Sequence, residues 1–382
     1  MSTGKRVLVY RIGLLGDALF ALPAFWAVRE HFSEAHLALL TDRHASKGYV
    51  STGDLLPEGL VFDEVIFYEA SGDGVDPSNV LKILPKLRRA RFDTLVYLAP
   101  RFRTRWHVLR DLAFFRLAGI THFFGHRGFA PLPTRIPGSP LPFVEHETDH
   151  LLSRLALSGI PVPPPEDRRV DLHISGEELS VARGWLETLS GTEHMGRLIA
   201  VGPGANWPSK VWPEGRYIEL VRVLVNELGV YPVVFGGPEL SALGDRLVAA
   251  WGCGVNAAGR LSVRQSAAAM SHCQLYVGND TGTMHLAAAM GTPCVGIFAA
   301  VGWPGKSYPY GRAHLVLRRS VPCEGCLLHE CIEHDMKCLK LISVNEAVAA
   351  CRAALTEGVG SPVSVADELR GTPRGGGLGD EF

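Results

Sequence analysis

The stretch GNDTGTMHLAAAMGTP (residues 278–293) sets an Asp-Thr-Gly turn directly against an alanine-rich helical run. An aspartic protease needs two aspartates sharing one proton. This chain holds a single Asp-Thr-Gly, and its Asp280 ends an apolar, strand-like segment. A strand-to-helix turn of this kind is better suited to holding an anion, because the N–H groups and hydroxyls of Thr281, Gly282 and Thr283 gather at the positive end of a helix dipole. His285 lies one turn further on and reads either as part of that cradle or as an ordinary hydrogen-bonded helix histidine.

Two other loops leave a strand and open a helix. In GPGANWPSKVWPEGRY (202–217), Gly202 and Gly204 follow a strand, and Ser209 and Lys210 precede a helix opened by Pro213. A glycine-rich turn beside an ammonium suits a diphosphate, although the order is not that of a P-loop. The plainer reading of Lys210 is a solvated surface lysine. In RIGLLGDALFALP (11–23), Gly13 and Gly16 permit a tight turn and Asp17 stands at the helix start. Asp17 is either a helix cap or a general base facing a cleft. The spacing lacks the G-x-G-x-x-G fingerprint, which removes the main support for hydride transfer.

Arg101, Arg103, Arg105 and Arg110 follow a strand in RFRTRWHVLRDLAFFRLAG. They could clamp phosphate or carboxylate groups, or line a solvated helix face. Cys323, Cys326, Cys331 and Cys338 have spacing compatible with a small zinc site. The second pair does not repeat C-x-x-C, so metal, disulfide and free thiols all stay open. The other four cysteines are scattered through apolar segments, which excludes a secreted disulfide framework.

These loops need rigid elements behind them. Short β-rich runs such as KRVLVYRI, HLALLTD, DTLVYLAP, RLIAVGPGA, QLYVGND and CVGIFAA alternate with helical stretches along both halves. That alternation predicts an α/β protein with two doubly wound parallel sheets. The 382 residues suit two domains, and the proline-rich PVPPPEDRR (161–169) marks the linker region. We expect an N-terminal domain over 1–175, a C-terminal domain over 176–345, a C-terminal helix over 346–370 and a disordered glycine-rich tail over 371–382. The carboxyl ends of both sheets would then face one central cleft. A net charge of −1, from 38 basic and 39 acidic side chains, gives no global field for nucleic acid or an anionic membrane. With no run of 18 apolar residues and no signal-peptide pattern at the N-terminus, the expected location is cytoplasmic.

Taken in order, RIGLLGDALFALP, GPGANWPSKVWP and GNDTGTMHLAAAMGTPCVGIF resemble glycosyltransferase family 9, the ADP-heptose:lipopolysaccharide heptosyltransferase family, and the resemblance covers nearly the whole chain. It implies a GT-B fold of two Rossmann-like domains and metal-independent transfer of heptose from ADP-heptose to the lipopolysaccharide inner core, with no cofactor beyond the nucleotide sugar. It assigns donor binding to Asp280, Thr281, Gly282, Thr283 and His285, with Gly202, Gly204, Ser209 and Lys210. Lys210 would also stabilise the leaving group, Asp17 would be the base, and Gly16, Arg101, Arg103 and Arg105 would lie on the acceptor side. Displacing a nucleoside diphosphate leaves negative charge on the β-phosphate, where aimed donors stabilise the transition state. The cysteine cluster is then structural rather than catalytic, with zinc not the favoured occupant. The implied partners are a nucleotide sugar, a lipopolysaccharide core acceptor and the inner face of the cytoplasmic membrane, touched peripherally, with no nucleic acid. The alternatives are a related transferase with another nucleotide sugar, a GT-B sugar-nucleotide epimerase, and a non-catalytic nucleotide-sugar-binding protein, against which Asp17 argues.

Overall fold

A computed structural model describes residues 5–44, 50, 52–70, 77–136, 138–168, 170–312 and 314–356. The tail expected over 371–382, and the expected C-terminal helix beyond residue 356, lie outside the described residues.

Strands β1 (Arg6–Tyr10), β2 (His36–His44), β3 (Glu64–Ala70), β4 (Thr94–Tyr97) and β5 (His122–Phe124) form a parallel sheet in the order β3-β2-β1-β4-β5. Helices α1 (Leu15–His31), α2 (Pro77–Ala90), α3 (Arg105–Leu117) and α4 (Glu147–Leu157) accompany it. The run RVLVY is apolar almost throughout because both faces of β1 are covered. Val7 and Val9 pack with Leu19, Leu22 and Phe25 of α1, while Leu8 and Tyr10 pack with Leu87 of α2 and Phe115 of α3.

The second sheet holds β6 (Leu198–Gly202), β7 (Tyr231–Val234), β8 (Val255–Asn256), β9 (Leu275–Asn279), β10 (Cys294–Phe298) and β11 (His314–Arg318), ordered β11-β10-β9-β6-β7-β8 and again parallel. One face packs on α6 (Glu214–Leu228), α7 (Ser241–Trp251) and α11 (Val344–Thr356), as Ile199 and Val201 meet Leu220, Leu247 and Ala347. The other face lies under α8 (Val263–Met270) and α9 (Gly282–Ala289), with α5 (Gly176–Ser190) beyond them. A short α10 (Lys337–Lys340) precedes α11. One apolar cluster joins α1 and α4 to α5, α8 and α9, so the two sheets share an interior.

In each sheet the strand order reverses once, between β1 and β4 and between β6 and β9. Ligands of open α/β sheets bind outside the carboxyl ends of the strands at such switch points. The loops after β1, β6 and β9 are the three singled out above, and the arginine run follows β4.

Candidate active site

At the second switch point, β9 ends on Asn279 and Asp280 leads into α9. Thr281 is the N-cap, with an extended backbone (φ −152°). Gly282 and Thr283 are the first two helical residues, whose N–H groups an α-helix leaves without internal acceptors. The loop after β6 ends in a 3-10 turn, Pro208–Lys210. Adjacent strands therefore bring Lys210 to Asp280, and Lys210 Nζ donates to Asp280 Oδ2 at 2.7 Å. His285 Nε2 lies 3.6 Å from Asp280 Oδ1. Burial opposes ionisation of Asp280, yet the charge of Lys210 and the bond to His285 outweigh it and hold the carboxyl well below the usual carboxylate range. The ammonium also sits 5.5 Å from the Trp207 ring centroid. His285 is buried, and its Nδ1 has no hydrogen-bond partner among the described residues.

The glycines here sit where neighbouring side chains leave little room for a Cβ. A Cβ on Gly202 would overlap the Tyr276 phenol, reaching 2.6 Å from Cζ, and one on Gly204 would lie 2.7 Å from Leu240 Cδ2. The Tyr276 hydroxyl in turn shares a 2.9 Å hydrogen bond with Thr283 Oγ1. Asn279, fully buried, fastens the loops together. Its Oδ1 accepts from Trp212 N at 3.1 Å and from the Tyr217 hydroxyl at 2.9 Å, and its Nδ2 donates to Pro203 O at 2.8 Å. Sequence reasoning passed over Asn279, although it adjoins Asp280 in the same motif.

At the first switch point, Gly13 (φ +128°) turns the chain out of β1, and its N–H donates to Asp42 Oδ1 at 3.1 Å. Leu14, not Asp17, occupies the N-cap of α1. Asp17 is the third helical residue and reaches back so that its Oδ2 accepts the Leu14 N–H at 3.3 Å, while the Leu14 side chain offers no acceptor in return. Its carboxylate lies 3.7 Å from Arg11 Nη2. Arg11, also unremarked in the sequence, is fully buried and anchors this turn by donating to the Asp17 carbonyl at 2.5 Å and the Leu98 carbonyl at 2.8 Å.

The two helix starts abut. A Cβ on Gly16 would stand 3.0 Å from His285 Cδ2, and one on Gly282 would stand 2.8 Å from Leu15 Cδ2. The Phe20 and His285 rings meet edge to face at 4.6 Å. Gly16, Asp280, Thr281, Gly282, Thr283, His285 and Lys210 thus belong to one neighbourhood, with Asp17 one residue beyond Gly16 on α1.

Other expected site residues are placed differently. Ser209 is buried and its hydroxyl donates to the Leu328 carbonyl at 2.6 Å, tying the Lys210 turn to the cysteine-containing loop. Arg101 is buried, with Nε and Nη1 on the carbonyls of Ala130 and Glu145. Arg103 is also buried, with Nη1 on Asp111 Oδ2 at 2.8 Å and Nη2 on the Tyr10 hydroxyl at 3.2 Å. Arg105 is exposed at the first turn of α3. Cys323, Cys326, Cys331 and Cys338 carry free thiols. Among the described residues, no three His, Cys, Asp or Glu side chains are grouped to hold a metal ion, so the zinc set considered above is not assembled.

Comparison with known proteins agrees with this architecture. The family described as glycosyltransferase family 9 (heptosyltransferase) matches residues 157–337. Lipopolysaccharide heptosyltransferase 2 of Salmonella typhimurium is 37% identical over 109 residues, covering 26% of this chain and 30% of that protein. The chain therefore spans less than a third of that relative's length. The crystal structure of a glycosyl transferase family 9 protein from Veillonella parvula superposes with a TM-score of 0.66 at 22% identity, covering 93% of this chain and 98% of that one. E. coli heptosyltransferase WaaC with ADP superposes at 0.60 with 16% identity, covering 91% and 99%. At these identities the likeness speaks for the fold, which is α/β of GT-B type.

Proposed function

The chain belongs, through residues 157–337, to glycosyltransferase family 9, and from that premise we propose that it is a glycosyltransferase moving heptose from ADP-heptose to the lipopolysaccharide inner core. One observation carries the reading. A lysine, held 2.7 Å from Asp280 at the start of α9, stands across from a second helix start that bears a carboxylate, Asp17. Residues 176–345 take the donor and residues 1–175 the acceptor. The diphosphate is received by the first N–H groups of α9, the Thr281 hydroxyl and Lys210. Asp280, itself an anion, acts by positioning Lys210 rather than by touching phosphate. The acceptor hydroxyl attacks the anomeric carbon, the bond from that carbon to the β-phosphate oxygen breaks, and ADP leaves against Lys210 and the helix dipole. Asp17 accepts the hydroxyl proton, and of Arg101, Arg103 and Arg105 it is the exposed Arg105 that is available to the acceptor. The reaction runs where the acceptor is displayed, at the inner membrane surface.

The test is a thermal-shift comparison of ADP, GDP, UDP and CDP. A ligand that binds only the native state stabilises it by RT ln(1 + [L]/Kd). ADP is expected to raise the melting temperature most. A strong shift with UDP and none with ADP would overturn the ADP-heptose assignment.

A further inference from the structure

Helix α3 is apolar on two sides. Val108 and Phe115 face the first sheet and are buried. The opposite face exposes Trp106 at 71%, Leu109 at 61% and Leu117 at 64%, and Phe102 just ahead of the helix is 60% exposed. At 100° per residue, Leu109, Ala113, Trp106 and Leu117 form one contiguous strip. Arg105 and Arg116 border it on one side and Arg110 on the other, all exposed. The helix α2 continues the surface, since exposed Arg88 donates to the Leu117 carbonyl at 3.0 Å. Although the whole chain is nearly neutral, residues 77–117 hold ten Lys or Arg against two Asp or Glu. One of those two, Asp111, is buried against Arg103 and also accepts from Arg110 Nη2 at 2.9 Å, while Arg101 and Arg103 among the ten are themselves buried.

We propose that this face of α3 is a docking surface for a bilayer with anionic headgroups, Trp106, Leu109 and Leu117 entering the interface while Arg110 and Arg116 meet lipid phosphates. The combination fits lipid because an aromatic and aliphatic centre edged by guanidinium groups matches the depth profile of an interface, apolar below and anionic above. Solitary exposed apolar residues are ordinary, but a contiguous strip of them marks an interaction site. The location follows suit: α3 begins just past the carboxyl end of β4, beside β1 and the turn that bears Asp17. Docking there sets the acceptor half of the site next to the membrane, a consequence that rests on the transferase reading, whereas the docking itself does not.

The experiment is co-sedimentation of the full chain with phosphatidylcholine vesicles made with and without phosphatidylglycerol. Wild type is expected to bind the phosphatidylglycerol vesicles, less so as salt rises, and to leave the neutral ones largely unbound. Trp106→Ser with Leu109→Ser should weaken binding about tenfold or more, and Arg110→Gln about fivefold. The serine variant should keep the wild-type ADP thermal shift. Equal binding of both vesicle types by wild type and variants, or no binding at all, would overturn the proposal. So would a concentration-dependent dimer that the serine substitutions dissolve, because the face would then belong to a second copy. Vesicle binding that responds to these substitutions in a protein showing no ADP shift would remove the transferase reading and leave the docking surface standing.

Discussion

Lys210 and Asp280 are 70 residues apart in sequence, yet Lys210 Nζ lies 2.7 Å from Asp280 Oδ2. The contact follows from strand order: β6 and β9 are neighbours, so the segments leaving their carboxyl ends meet at the switch point. The partly buried pair holds a cation at the start of α9, where the proposed diphosphate would meet both the helix dipole and the ammonium.

Lys210→Ala should therefore slow the chemical step as well as weaken donor use, because its charge matters most as the diphosphate leaves. Loss of one such donor costs about 10²- to 10³-fold in kcat. Steady-state rates at saturating ADP-heptose check this, and an unchanged kcat would leave Lys210 with its structural pairing to Asp280 alone.

Asp17→Asn separates two roles. The amide oxygen of the new side chain can still accept the Leu14 N–H, so melting temperature and ADP affinity should stay near wild type. It cannot take the acceptor proton, so transfer should fall about 10²- to 10⁴-fold. A folded Asp17→Asn protein with activity within a few-fold of wild type would leave Asp17 with its structural contacts to Leu14 and Arg11 alone.

The alternating strand and helix runs carried the fold, because long apolar strands and amphipathic crossovers have distinct periods. The edge strands β5, β8 and β11 were not read from the sequence, and two of them, His122–Phe124 and Val255–Asn256, are too short for any period to register. Within the site, the residue types around Asp280 pointed to the loop, but not to its partnerships. Nothing local to Asp280 reveals that it faces Lys210, and nothing in PSK reveals that the Ser209 hydroxyl is spent on Leu328 O. The run at 101–105 reads as one uniform set of arginines, whereas the turn after β4 sends Arg101 and Arg103 inward and leaves Arg105 outside. Arg11 and Asn279 escaped notice because their work is inside the protein, in hydrogen bonds that only the folded chain creates.

Asn279→Ala should destabilise the second domain strongly. It strips partners from the buried Trp212 N–H and Pro203 carbonyl and leaves the Tyr217 hydroxyl only the Gly202 carbonyl at 3.5 Å, and each stranded group costs about 1–3 kcal/mol. Urea unfolding should show a loss of about 2 kcal/mol or more, and a change within about 0.5 kcal/mol would contradict the role given to Asn279.

Stability should fall below neutral pH. Burial pushes His150 and His314 down to about 4, from an ordinary value near 6.5. In His150 the charges of Arg154 and Arg101 add to burial, while in His314 the bond to the Tyr310 carbonyl opposes it. His314 Nδ1 accepts the Cys294 N–H at 3.2 Å, which requires that nitrogen to be unprotonated. As pH falls from 6.5 to 4 the unfolded chain binds protons that the folded chain refuses. The stabilisation is therefore complete above pH 6.5 and declines through that window, by up to about 1.4 kcal/mol per pH unit for each histidine. Melting temperatures between pH 8 and 4.5 test this, and His314→Gln should flatten the slope. A melting temperature independent of pH over this range would contradict the buried neutral assignment.

The most direct measurement is ADP release from ADP-heptose by the purified protein, with and without a heptose-deficient lipopolysaccharide inner-core acceptor. The account predicts release that depends on the acceptor, product carrying one added heptose, and loss of both in Lys210→Ala. Absence of acceptor-dependent release from a folded protein that is stabilised by ADP would contradict it.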